Sequence, residues 1–80
     1  MTITEYYIVY PEGEIQELEA PLRIDQIVDL NGRPLPMPLP SPRVIAYRVM
    51  KIRQSEDRGM QKIFHYVELI PTRELQSHCY

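Results

Sequence analysis

Residues 33–43 read Arg33-Pro34-Leu35-Pro36-Met37-Pro38-Leu39-Pro40-Ser41-Pro42-Arg43, with a proline at every even position. A spacing of two is the period of an extended strand, in which successive residues alternate both side-chain face and N–H direction. An extended chain here lacks N–H groups along one edge, while Leu35, Met37 and Leu39 keep theirs for the other and share one face. Such a segment pairs on one side only, as a self-protecting edge strand or a wrapping arm. It is not a ligand of the PxxP type. Those ligands need prolines three apart to match the polyproline II turn, and even-only positions exclude that spacing.

Outward from this segment, Asn31-Gly32 is a two-residue hairpin signal. Ile27–Leu30 is therefore expected as a short strand against which the proline segment returns, with residues 22–26 as a connector. Before it, residues 2–10 are rich in β-branched and aromatic side chains and predict a strand. Pro11-Glu12-Gly13 supplies a turn, and residues 14–19 come back as a second, partly exposed strand.

The clearest hairpin runs over residues 44–53 and 60–70 around a loop at 54–59. Opposing Ser55 with Gly59 pairs Tyr47 with Val67, Val49 with His65, Lys51 with Ile63, Arg48 with Tyr66, Met50 with Phe64 and Ile52 with Lys62. One face of that hairpin is almost wholly apolar and the other is mixed. Apolar residues on both faces call for cover on both sides. After Pro71, residues 72–76 predict one helical turn with Thr72 as N-cap, and residues 77–80 are expected to fray.

The expected fold is all-β: a small antiparallel sheet curled into a barrel of about five strands, similar in size to SH3-like and OB-like folds, with a short C-terminal helical turn. Residues 1–80 make one domain, near the lower size limit for an independently stable core. A domain this small often draws on a partner or on self-association.

Charge is unevenly divided. Residues 1–30 hold seven acids and one base, and residues 31–80 hold four acids and eight bases. The two halves are expected to meet and neutralise each other at the surface. The lone Cys79 excludes an internal disulfide framework and suits a reducing, cytoplasmic setting. Residues 1–20 carry five acids and no basic start, so no secretory leader is expected, and the apolar runs are too short for a membrane span.

Catalytic chemistry has little to stand on. His78 and Cys79 are adjacent near a chain end, which cannot preorganise a nucleophile against its base. His65 lies in an apolar run and reads as a core histidine with one hydrogen-bond partner. Two histidines and one cysteine without repeat spacing give no metal signature, and three scattered glycines make no phosphate loop. No enzyme activity, cofactor or metal is expected.

Two binding readings follow. In the first, the chain is a protein-interaction domain that takes a protein partner or a second copy of itself through Leu35, Met37, Leu39, Met50, Ile52, Phe64 and Ile70. Val44, Ala46, Met50, Ile52, Phe64 and Ile70 have no obvious cover in so short a chain. In the second, Arg48, Lys51, Arg53, Lys62 and Tyr66 form a basic, aromatic sheet face for single-stranded nucleic acid. Against that stand the acidic pI of about 5.6 and the interleaved Glu56, Asp57 and Glu68. The plainer role for Arg48 is to pack on Tyr66 and bond to Glu68.

Overall fold

A computed structural model of the chain describes residues 2–39, 41 and 43–78. It is a five-stranded half-barrel closed at one end by a short helix. The strands are β1 (Ile3–Val9), β2 (Ile15–Leu18), β3 (Ile27–Val28), β4 (Tyr47–Asp57) and β5 (Met60–Leu69), followed by α1 (Thr72–Gln76). Their order across the sheet is β2-β1-β5-β4-β3. The β1–β2 and β4–β5 neighbours are hairpins, whereas β1 runs parallel to β5. The sheet is thus mixed, not wholly antiparallel. That pairing sets Glu5 of the acidic half beside Lys62 of the basic half, so the two halves do meet.

The local signals explain the elements. Gly13, at φ +97°, closes the β1–β2 turn, and the Tyr10 N–H donates to the Glu14 carbonyl. At Asn31-Gly32 the chain reverses as expected. The Asp29 N–H donates to the Arg33 carbonyl, Asp29 Oδ1 accepts from the Asn31 and Arg33 amides, and Val28 bridges Pro34. Gly32 sits at φ +79°, and a Cβ there would lie 3.0 Å from Leu18 Cδ2, so the position is both conformationally and sterically reserved.

The hairpin register differs from the expected one. Tyr47 opposes Leu69 and Val49 opposes Val67, then a bulge at Met50 shifts the pairing so that Lys51 opposes Tyr66 and Ile52 opposes His65. The turn is the two residues Arg58-Gly59, both at positive φ, and not the longer loop at 54–59. The bulge moves Ile52 onto the face of Tyr47 and Val49 by inserting one residue into a period-two strand.

The proline segment follows the expected alternation in part. Leu35 N–H donates to the Ile27 carbonyl and Leu39 N–H to the His78 carbonyl. Leu39 is 1% exposed and Leu35 is half-buried, but Met37 points outward at 49% exposure, so the three do not share one inward face. The Met37–Pro38 peptide is cis, and the segment forms bends and a bridge in place of a continuous strand. Pro40, Pro42 and Cys79 lie outside the described residues.

Two apolar clusters result. One gathers Ile8, Tyr10, Leu22, Val28, Tyr47, Val49 and Val67 on the inner face of the sheet. The other gathers Ile27, Leu39, Ala46, Ile70 and Leu75, with Leu35 against it. The cover that Ala46 and Ile70 seemed to lack therefore comes from the proline segment and α1. Pro71, not Thr72, occupies the N-cap, with no side-chain cap. Ser77 and His78 are tied down instead of frayed: Ser77 Oγ donates to the Glu74 carbonyl, and His78 N–H to that of Leu75.

Candidate functional site

The cover stops halfway along the sheet. The molecule measures 46 × 22 × 17 Å, and past the ends of β2 and β3 the sheet continues as three strands, β1, β5 and β4. Every residue of β4 from Met50 to Asp57 is exposed. β3 spans two residues, and the last bonds from the connector reach Val49: Asp25 N–H donates to the Val49 carbonyl, and Val49 N–H donates to that of Gln26. Among the described residues, no strand pairs with the outer border of β4 beyond that point.

Main-chain direction along this border follows from alternation. Val49 points outward. The bulge turns both Met50 and Lys51 toward β5, so the outward amides and carbonyls are those of Ile52, Gln54 and Glu56. These groups can bond an added strand without disturbing the β4–β5 ladder.

The two faces of this three-stranded part differ. In register on one lie Lys51 with Tyr66, Arg53 with Phe64, Ser55 with Lys62, and Tyr7 beside Phe64. Tyr7 and Phe64 stack with centroids 5.3 Å apart, and Lys51 Nζ is 5.9 Å from the Tyr66 ring centre. Tyr7 Oη donates to Glu5 Oε1, and that bond is the main reason its phenol is held above the usual range. Arg48 begins this face but is occupied. Its Nε and Nη2 donate to Glu68 Oε1 and its Nη1 to Glu74 Oε1 at 2.9 Å, which raises the guanidinium pKa, the Glu74 bond contributing most. The expected Arg48–Glu68 bond is present; the ring of Tyr66 is met by Lys51 instead.

On the other face Tyr47, Val49, Val67 and Ile8 are core, while Ile52, Ile63 and Tyr6 continue the same rows beyond the cover. Met50 is 54% and Ile52 39% exposed. Of the seven residues expected to form an interaction surface, Met37, Met50 and Ile52 are exposed, and Leu35 and Phe64 are half-buried. Leu39 and Ile70 are core residues and offer no surface. Gln54 and Glu56, whose main chain forms the open border, escape a reading of side chains. The signal that marks them is a change of parity: apolar positions move from odd (Tyr47, Val49) to even (Ile52) in β4, but stay odd in β5.

His65 is fully buried, and both ring nitrogens meet the main chain. Nδ1 donates to the Tyr7 carbonyl at 2.8 Å and Nε2 accepts from the Leu22 N–H at 3.1 Å. It therefore has two partners, not one, and no free nitrogen to offer a substrate. A cleft of about 390 Å³ lies between β2 and the Asn31-Gly32 turn, and the residues lining it include no Ser, His, Lys or Cys. Among the described residues no group of three or more His, Cys, Asp or Glu is placed to hold a metal ion, and no helix is long and apolar enough to cross a membrane.

No curated protein and no solved structure matches the chain. A family model described as uncharacterised Treponema protein matches residues 2–78, and the chain belongs to that family.

Proposed function

We propose that this member of the uncharacterised Treponema protein family is a non-enzymatic protein-interaction module that works through the open end of its sheet. The observation that carries this reading is the border of β4 from Ile52 to Glu56, where outward main-chain groups lie beside the exposed Met50 and Ile52. Strand addition draws affinity from such main-chain bonds and specificity from the adjoining side chains. A half-barrel with a covered end and an open end separates the part that stabilises from the part that binds. The cytoplasmic setting suited to a lone cysteine belongs to the same proposal.

A photo-crosslinking residue at position 52, introduced in the native cells, tests it against one at position 12 in the β1–β2 turn. Protein adducts from position 52 and none from position 12 support the module. Adducts from neither would end it.

A second reading rests on one observation: Lys51, Arg53, Lys62 and Tyr66 share a face with stacked aromatic rings. Single-stranded nucleic acid would bind there by stacking and phosphate attraction. It ranks second because Arg48 is held by two glutamates and Glu5 sits beside Lys62. Titration with mixed-sequence single-stranded RNA at low salt, where phosphate attraction is strongest, separates the two.

A further inference from the structure

We infer that the partner at this border is a second copy of the chain, its β4 antiparallel to the first across a two-fold axis at Gln54. The inference rests on the proposed interaction module and names its occupant.

The argument is one of charge and register. The open border carries its bases at one end, Lys51 and Arg53, and its acids at the other, Glu56 and Asp57. Parallel pairing of two such borders sets like charge against like, and antiparallel pairing sets bases against acids. Charged side chains ordinarily protect an exposed edge from association. Here they reject parallel pairing and most antiparallel alignments.

Among antiparallel alignments, only those that oppose outward residues with outward residues can form the ladder. An axis at Ile52 brings Lys51 opposite Arg53, and an axis at Arg53 opposes the two guanidinium groups directly. Both are repulsive. An axis at Ser55 sets Arg53 opposite Asp57 twice, but it overlaps only residues 53–57 and leaves Lys51 and Ile52 outside. The axis at Gln54 uses residues 51–57 of each chain. It places Lys51 opposite Asp57 twice and Arg53 opposite Ser55 twice, in the closely spaced pairs that do not exchange main-chain bonds. The exchanging pairs are then Ile52 with Glu56 and Gln54 with itself.

The far border of the sheet cannot do the same. That border is β2 and, past its end, Ile3–Glu5 of β1; it carries Glu5, Glu14, Glu17 and Glu19 with no base, so two such borders repel. A closed dimer with one continuous sheet follows, not an open fibre.

Sedimentation equilibrium of the purified chain tests this, at concentrations between roughly 10 µM and 1 mM, where small transient interfaces dissociate. A monomer–dimer equilibrium is expected. Asp57→Lys, which sets Lys51 against a lysine twice, should weaken it about tenfold or more. The exchange Lys51→Asp with Asp57→Lys should restore it, and Gln54→Pro, which removes an outward N–H without touching the β4–β5 ladder, should abolish it. A dimer indifferent to all three variants, or growth beyond the dimer, overturns the inference. So does a monomer across the whole range. In that last case, cellular adducts from position 52 to other proteins would leave the interaction module standing, and their absence would remove it as well.

Discussion

The ring of His65 in β5 holds the main chain of Leu22, its Nε2 accepting the Leu22 N–H at 3.1 Å. Because Nδ1 donates to the Tyr7 carbonyl, one buried ring joins β1, β5 and the connector that carries β3. A buried polar group costs little when satisfied and much when orphaned. Replacing His65 with Leu leaves the buried Leu22 N–H without its acceptor and takes the ring N–H away from the Tyr7 carbonyl. The expected loss is about 3 kcal/mol, read as a lower urea midpoint at unchanged slope. A variant as stable as the parent would show that the ring merely fills space.

Leu39 and Met37, two residues apart, should respond in opposite ways. Leu39→Ala opens a cavity beneath the proline segment against Ile70 and Leu75 and should cost about 3 kcal/mol. Met37→Ser removes an exposed thioether and should stay within about 0.5 kcal/mol of the parent. Equal losses at both positions would contradict the way this segment sits.

Much of this is legible in the sequence, and where the structure departs from it the reason is physical. The Asn31-Gly32 reversal and the inward amides of Leu35 and Leu39 follow from backbone rules that act within a few residues. The outward turn of Met37 does not, because a period-two pattern assumes a continuous strand. The parallel contact of β1 with β5 joins residues some 57 apart, as Ile3 with Met60. No local signal marks such a contact. The bulge at Met50 has no glycine or proline to announce it. It shows only as the parity change between Val49 and Ile52, and it shifts the whole lower half of the hairpin. For the site, the exposed Met50 and Ile52 were visible as side chains. The open border of main chain beside them was not, because it depends on how short β3 is.

Arg48 anchors α1 to the hairpin through Glu74 while it holds Glu68 by a two-pronged contact. Both carboxylates are more than a third exposed, so solvent screening keeps the coupling small. A double-mutant cycle of Arg48→Met with Glu74→Gln should give roughly 0.5–1 kcal/mol, falling in 1 M salt. A coupling of several kcal/mol, or none, would show that α1 is held by Leu75 in a different way from that described.

Burial pushes the phenols of Tyr10 and Tyr47, which meet edge to face at 5.1 Å, above their ordinary value of 10.0. A phenol with a raised folded-state pKa binds its proton more tightly in the native chain than in the unfolded one. The resulting stability is fully present below pH 10 and is lost as pH rises through the folded values. Unfolding free energy should therefore show no tyrosine-linked loss between pH 8 and 9.5 and should fall above about pH 10. Ultraviolet titration should find Tyr10 and Tyr47, together with the Glu5-bonded Tyr7, ionising above the ordinary phenol range. Simultaneous ionisation of every tyrosine would contradict the burial of this pair.

Residue-resolved hydrogen exchange on dilute protein addresses the open border most directly. The amides of Lys51, Arg53 and Ser55, turned toward β5, and of Val49, bonded to Gln26, should be protected. Those of Ile52, Gln54 and Glu56 should exchange at nearly the rate of an unstructured chain. Slow exchange at all seven positions in the monomer would mean that something within the chain already covers β4, and the interaction surface described here would not exist.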